Sequence, residues 1–259
     1  MKVLWEKRKL ILDLAKADFK KRFVGSYLGI FWIFVQPVVT IIIYYYIFQL
    51  GFKSNPQADV PYVVWLLPGI IPWFFFNEAV MNGTVSMLNY QHLVKKMVFP
   101  IKIIPEIRIC ASLFIHFIFV GVMVVVVMAM GLRPSVWWLQ YLYYMICNIL
   151  LIMGIVYLLA SLNVFIKDVS QLVNIFLQVG FWLAPIMYDT TIMPKGFQRL
   201  ISLNPFVYIV EGGRDCFVDH IGFWEKPMET IYFWVVTIVL LVLGSKIFDK
   251  FEKHFVDVL

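Results

Sequence analysis

The chain has 259 residues, of which 62% are hydrophobic and only 15% charged, against about 25% charged in an ordinary soluble domain, so it cannot lie mostly exposed to water. Its net charge of +6 comes mainly from Lys and Arg flanking apolar stretches, a pattern of membrane topology and anionic-lipid contact that gives no support to nucleic-acid binding. The three cysteines, Cys110, Cys147 and Cys216, form no CxxC or Cys/His cluster, which favours neither a disulfide framework nor a metal site.

Residues 1–22 are polar, hold eight Lys/Arg and lack the short apolar core of a signal peptide. Trp5, Leu12 and Phe19 repeat every seven residues, with Leu4, Ile11, Leu14 and Ala15 nearby, while Lys7, Lys9, Lys16 and Lys20 point elsewhere. This predicts an amphipathic helix in the cytoplasmic interface, or a short helix docked on a partner. Lys20, Lys21 and Arg22 end the segment, and no charged residue follows until Lys53. A bilayer core of about 30 Å needs about 20 apolar residues in a helix. The charge-poor intervals predict six spans, at about 27–50, 61–82, 107–130, 137–165, 169–188 and 230–247. The second carries Pro68, Pro72 and Glu78.

An even number of spans puts both termini on one side. With that side cytoplasmic, the inner segments and their juxtamembrane residues hold 16 Lys/Arg and the outer ones six, as the positive-inside rule requires. Residues 83–106 form the long inner loop, and 166–168 a compact one. The 41-residue outer segment 189–229 is too apolar for a free loop and too broken for a span. It predicts one or two short re-entrant helices dipping into the outer leaflet. The expected fold is therefore an all-α integral membrane protein, a single domain of six transmembrane helices with an N-terminal interfacial helix.

Soluble-type catalytic chemistry is missing from the sequence. There is no GxxxxGK[ST] phosphate loop, no GxSxG and no HExxH. His92, His116, His220 and His254 are far apart. His116 and Glu78 are the intramembrane titratable groups, open to a proton-relay or a hydrogen-bonded packing role. No chain of Asp, Glu and His runs through the spans, which argues against an ion-coupled transporter. An intramembrane transferase would need a cluster of catalytic carboxylates or histidines at one membrane face, and none is found.

Arg22-Phe23-Val24-Gly25-Ser26-Tyr27-Leu28-Gly29, followed by Trp32 and Pro37, resembles the opening motif of the ABC-2 transport permeases. The branch it most resembles exports polysaccharides of the O-antigen, capsule and teichoic acid type. PYVVWLLPGIIPWFFF at 61–76 is similar to the family's second span. Asn89, Leu93, Lys95, Lys96, Phe99, Pro100 and Pro105 match its inner loop. Asp168-Val169, Ala184 to Tyr188, Asn204-Pro205 and Arg214 follow in order. Gln36 stands where Asn is common.

The resemblance implies a homodimeric permease in a bacterial cytoplasmic membrane, working with two copies of a separate ATPase subunit. That partner would bind ATP and Mg, leaving this chain with no cofactor, metal or catalytic residue. The loop 83–106 would hold a short coupling helix, with Asn89 as its N-cap, His92, Lys95 and Lys96 facing the ATPase and Leu93 and Phe99 giving apolar contact; Asp168 is the second expected contact. A lipid-linked glycan would be the substrate, with a drug or a lipid as the alternative within the family. Aromatic faces suit sugar rings, so the candidate conduit residues are Phe31, Trp32, Tyr44, Tyr45, Tyr46, Trp73 and Phe74. Lys20, Lys21 and Arg22 are candidates for holding a lipid headgroup, and anchoring in anionic lipid explains them equally well.

Overall fold

A computed structural model describes residues 6–21, 27–29, 31–51, 60–95 and 99–259. Among them every regular element is helical. The N-terminal helix α1 is Arg8–Lys21. Five helices are long and apolar enough to cross a membrane. They are α2 (Phe31–Gly51), α3 (Tyr62–Thr84), α6 (Ile104–Ala129, with a 3-10 turn before it), α7 (Tyr141–Phe165) and α11 (Pro227–Phe251). Two single-turn helices, α4 (Ser86–Asn89) and α5 (Gln91–Val94), lie between α3 and α6. After α7 come α8 (Val169–Leu183), α9 (Lys195–Ser202) and α10 (Phe206–Arg214), and α12 (Phe255–Val258) ends the chain.

The interval expected at 169–188 is helical only to Leu183. Its 15 residues reach about 22 Å at 1.5 Å per residue, short of a 30 Å core. Pro185 is the cause, because the residue before a proline is pushed out of the helical region, and Ala184 is extended at ψ 132°. Residues 184–187 then turn into the bundle and are buried. Beyond them, α9 and α10 supply the short helices expected in 189–229.

Helix α3 is the centre of the bundle, and 17 of its 23 residues are buried. Pro68 and Pro72 lie inside it, and each removes one helical N–H. Asn148 of α7 donates to the Pro72 carbonyl at 3.1 Å. At the end of the bundle away from α1, Arg214 is only 2% exposed. Its guanidinium lies 3.4 Å from the centroid of Trp65 and donates to the carbonyls of Pro185 (2.7 Å), Ile186 (3.0 Å) and Trp65 (3.5 Å) and to Glu211 (2.8 Å). Tyr62 adds a bond to the Met187 carbonyl at 2.9 Å. The non-helical stretch after α8 is thus held by side chains from α3 and α10. Next to Arg214, burial pushes the Asp215 carboxyl up to about 6, against the pull of Lys226, whose Nζ donates to both its oxygens at 2.7 and 2.8 Å.

Helix α2 is different, since none of its residues is buried. It meets the bundle through Phe34 against Phe119 (5.6 Å), Tyr44 stacked on Phe181 (6.0 Å) and Phe48 stacked on Tyr62 (6.1 Å).

Helices α7 and α11 cross where both carry glycine. A Cβ at Gly244 would sit 2.4 Å from the Gly154 carbonyl oxygen, and one at Gly154 would sit 2.8 Å from the Leu241 nitrogen. Small residues at such a crossing let backbones pack without side chains between them. Replacing Gly244 with leucine should force the pair apart and cost about 1–3 kcal/mol. A Cβ at Gly121 of α6 meets nothing within 4 Å. Thermal unfolding of the detergent-purified protein should show a lowered midpoint for Gly244→Leu and no lowering for Gly121→Ala, which gains helix propensity without a clash.

Candidate functional site

One face of α3, below its two prolines, and one face of α6 line a cavity whose third wall is α2. Its volume is about 520 Å³. On α3 the lining runs through Ile71, Phe74, Phe75, Glu78, Met81 and Asn82, the three-and-four spacing of one helix face, with Asn77 at its edge. On α6 it runs through Ser112, Ile115, His116 and Phe119, and on α2 through Trp32, Ile33, Gln36 and Pro37. The Glu78 Oε1 accepts from Ser112 Oγ at 3.2 Å and from Asn82 Nδ2 at 3.5 Å. His116 stacks on Phe75 with ring centroids 4.8 Å apart. The two intramembrane titratable groups of the sequence therefore line one space, at the end of the bundle that carries α1.

A second cluster lies below this cavity. Ile11 and Ala15 of α1 pack on Ile103, Ile107 and Ala111 at the start of α6. One turn further on, buried Asp18 accepts from Arg108 at 2.9 Å and from the Tyr90 hydroxyl at 2.8 Å. The Arg108 guanidinium stands 5.0 Å from the Tyr90 ring centroid. The N-terminal helix, the α3–α6 loop and the foot of α6 are thus tied at one carboxyl group. A parallel tie joins the loop between α7 and α8. Asn163 donates to the Thr84 carbonyl at the end of α3 (3.2 Å) and accepts from the Ser170 N–H at the start of α8 (3.1 Å).

The expected coupling residues divide around these ties. Asn89, His92 and Lys95 are exposed and Leu93 is half-buried, while Lys96 lies outside the described residues. Asn89 does not cap the coupling helix. The loop breaks into two single turns, Asn89 ends the first, and Tyr90 takes the N-cap position of the second with no side-chain cap. Phe99 is half-buried and packs against the Ile11–Ile103–Ile107 cluster, so it faces the fold. Asp168 is exposed at the N-cap of α8, where its backbone carbonyl accepts from Gln171 and Leu172. Lys20 and Lys21 are exposed at the end of α1, and Arg22 lies outside the described residues.

The aromatic candidates also part company. Trp32 and Phe74 line the cavity. Trp73 is buried among Phe76, Phe181 and Phe206 and belongs to the core. Phe31 and Tyr46 are exposed, Tyr45 sits edge-on to Tyr46, and Tyr44 stacks on Phe181.

The ABC-2 type transporter family pattern matches residues 10–218, from α1 to the end of the turn after α10. The chain belongs to the ABC-2 type transporter family. Its similarity to individual members extends over nearly the whole length. It is 28% identical over 253 residues to an O-antigen export system permease protein RfbA of Klebsiella pneumoniae, covering 96% of this chain and 95% of the relative. The Myxococcus xanthus protein of that name is 25% identical over 256 residues, 98% and 96% of the two chains. A polysialic acid transport protein KpsM of Escherichia coli is 23% identical over 238 residues, 91% of each.

Within this ABC-2 chain, the family motifs did not point to Asp18, Tyr90, Arg108 or Asn163. A signal for Asp18 was present. It continues the Ile11–Ala15 stripe at helical spacing, which places an acid on the apolar face of α1 and requires a buried partner. Asp18→Asn and Tyr90→Phe should therefore be non-additive. A double-mutant cycle read from thermal or denaturant unfolding should give a coupling between about 0.5 and 3 kcal/mol.

Proposed function

We propose that the chain is the membrane-spanning permease of a polysaccharide exporter, moving a lipid-linked glycan outward from the cytoplasmic side. The observation that carries this reading is end-to-end similarity to proteins named for O-antigen export and polysialic acid transport. The aromatic and polar cavity at the α1 end supports it, because that is where a substrate from the inner leaflet would enter.

The energy would come from a separate ATPase subunit, two copies working with two copies of this chain. The sequence has no phosphate loop of its own, which fits such a division. Exposed His92 and Lys95 with half-buried Leu93 make α5 a suitable insert for a groove in that partner, a small apolar centre inside a basic rim. The Asp18 and Asn163 ties would pass its displacement to α1, α3, α6 and α8. We read α8 with residues 184–188 as the sixth span, thickened at its outer end by α9 and α10 dipping into the outer leaflet. Both termini then lie in the cytoplasm of a bacterial inner membrane, as the 16-to-six Lys/Arg split supports.

Deleting the gene should abolish surface glycan and leave it inside the cell; immunoblots of intact and lysed cells measure both pools. Surface glycan at the normal level in the deletion strain would refute the reading. The topology has its own test in a cysteine-free background. Cysteines at Arg133 and Lys195 should react with an impermeant thiol reagent in intact cells, and those at Lys9, Gln91 and Lys253 should not. For the coupling role, Leu93→Asp should reduce ATPase co-purification at least about tenfold by burying an unpaired charge in the contact, with membrane insertion intact. Phe99→Asp should instead lower the thermal stability of the permease itself.

A further inference from the structure

Asp18 and Asn163 bond α1, α3, α6, α7 and α8 around the loops that follow α3 and α7. Helix α11 has a bond of its own to the same region. Lys102 stands in the 3-10 turn Ile101–Ile103, where the α3–α6 loop becomes α6. Its Nζ donates to Ser245 Oγ at 3.1 Å and to Asp249 Oδ1. Ser245 and Asp249 lie four residues apart, on one face of α11. Tyr157 of α7 joins the same junction. Its hydroxyl donates to the Lys102 carbonyl at 3.5 Å, and its ring meets Phe248 of α11 edge-on at 5.4 Å.

Two observations set this bond apart from an ordinary surface ion pair. The Lys102 side chain is only 18% exposed, beside buried Ile103. Glu106, four residues on, has the spacing at which helical neighbours pair, and its Oε1 is buried without a hydrogen-bond partner. Lys102 thus leaves a carboxyl oxygen bare on its own helix and directs its charge to another. Folding does not require it to do so. The Asp249 side chain is 52% exposed, so the pair adds little stability, and the Gly154–Gly244 crossing already holds α11 on α7. What the bond does fix is the position of α11 relative to the foot of α6. Pro100 and Pro105 flank the turn and restrict its backbone, so the turn moves with α6. Tyr90 at the start of α5, Asp18, Arg108 and Lys102 then form one bonded route from the α3–α6 loop to Asp249. We infer that Lys102 is a positioning residue for export, passing displacement of that loop to the paired helices α7 and α11. The inference rests on the reading of an ATP-driven exporter above and adds α11 to the helices that respond.

The test compares export with ATP hydrolysis in cells that make the glycan. Lys102→Met keeps an apolar stem and removes the charge, and Asp249→Ala removes its partner. Each should lower surface glycan about fivefold, the scale on which residues between coupled sites act. Permease abundance, ATPase co-purification and ATP hydrolysis by the purified complex should stay unchanged, so that less glycan crosses per ATP. The double variant should export no less than the poorer single, because the two residues act as one unit. Lys102→Arg, which keeps a cation on the turn, should export normally. Four results would each overturn the role: normal export by both single variants, losses that multiply in the double, a Lys102→Arg protein as poor as Lys102→Met, or losses that merely follow abundance, ATPase binding or hydrolysis. Gene deletion separates the two claims. Surface glycan that persists without the gene overturns the polysaccharide reading, whereas glycan that needs the gene but is exported normally by both single variants overturns the Lys102 role alone.

Discussion

In the hydrocarbon core of a bilayer no water is available to satisfy a backbone group, so every break in a helix must be repaired by protein. Helix α3 makes that constraint acute. It is the most buried of the long helices and carries two internal prolines. Side chains from the rest of the bundle bond its carbonyls beside these breaks. Asn148 reaches it from α7, and Arg214 reaches it from α10 while also holding the carbonyls left open after α8. Arg214 is a charge buried with nearly all of its donors used, which is the condition under which such burial is tolerated. Neither α8 nor α10 is long enough to span a membrane, and these bonds tie α10 and the stretch after α8 to α3.

The same economy of buried polar groups operates at the other end. Asp18 accepts from two different elements, and Asn163 bridges the end of α3 and the start of α8. Both ties sit beside the loops that join α3 to α6 and α7 to α8. A push on α5 therefore meets α1 and α6 together, since Tyr90 directly precedes it and is bonded to Asp18.

Much of this was legible in the sequence. The long charge-free runs marked where helices had to be, because an unpaired charge in lipid is expensive and its absence is informative. The same logic failed where charges are paired. Glu106 and Arg108 lie inside α6, with Glu106 buried and Arg108 bonded to Asp18, so the helix starts earlier than a boundary set near Arg108. The interval ending at Asp189 overran Leu183, because a proline weighs nothing in a count of charges yet ends a helix. The cavity was only half visible. Glu78, His116, Trp32 and Phe74 were each noted, but their meeting depends on the relative rotation of α2, α3 and α6, and local sequence does not encode rotation. Trp73 and Phe74 are adjacent in sequence and point to opposite fates, one into the core and the other into the cavity, for the same reason.

Helix α2 walls the cavity and meets the bundle through ring contacts and one hydrogen bond, from the Tyr62 N–H to Gln49, with no buried residue. In a membrane, moving such a helix sideways trades contacts with protein for contacts with lipid tails of similar dispersion energy. The clearance between α2 and α3 is then governed by the lateral pressure of the bilayer as much as by the fold. An opening bounded this way has no single gauge. Its width is set by the lipid composition around it as well as by the chain.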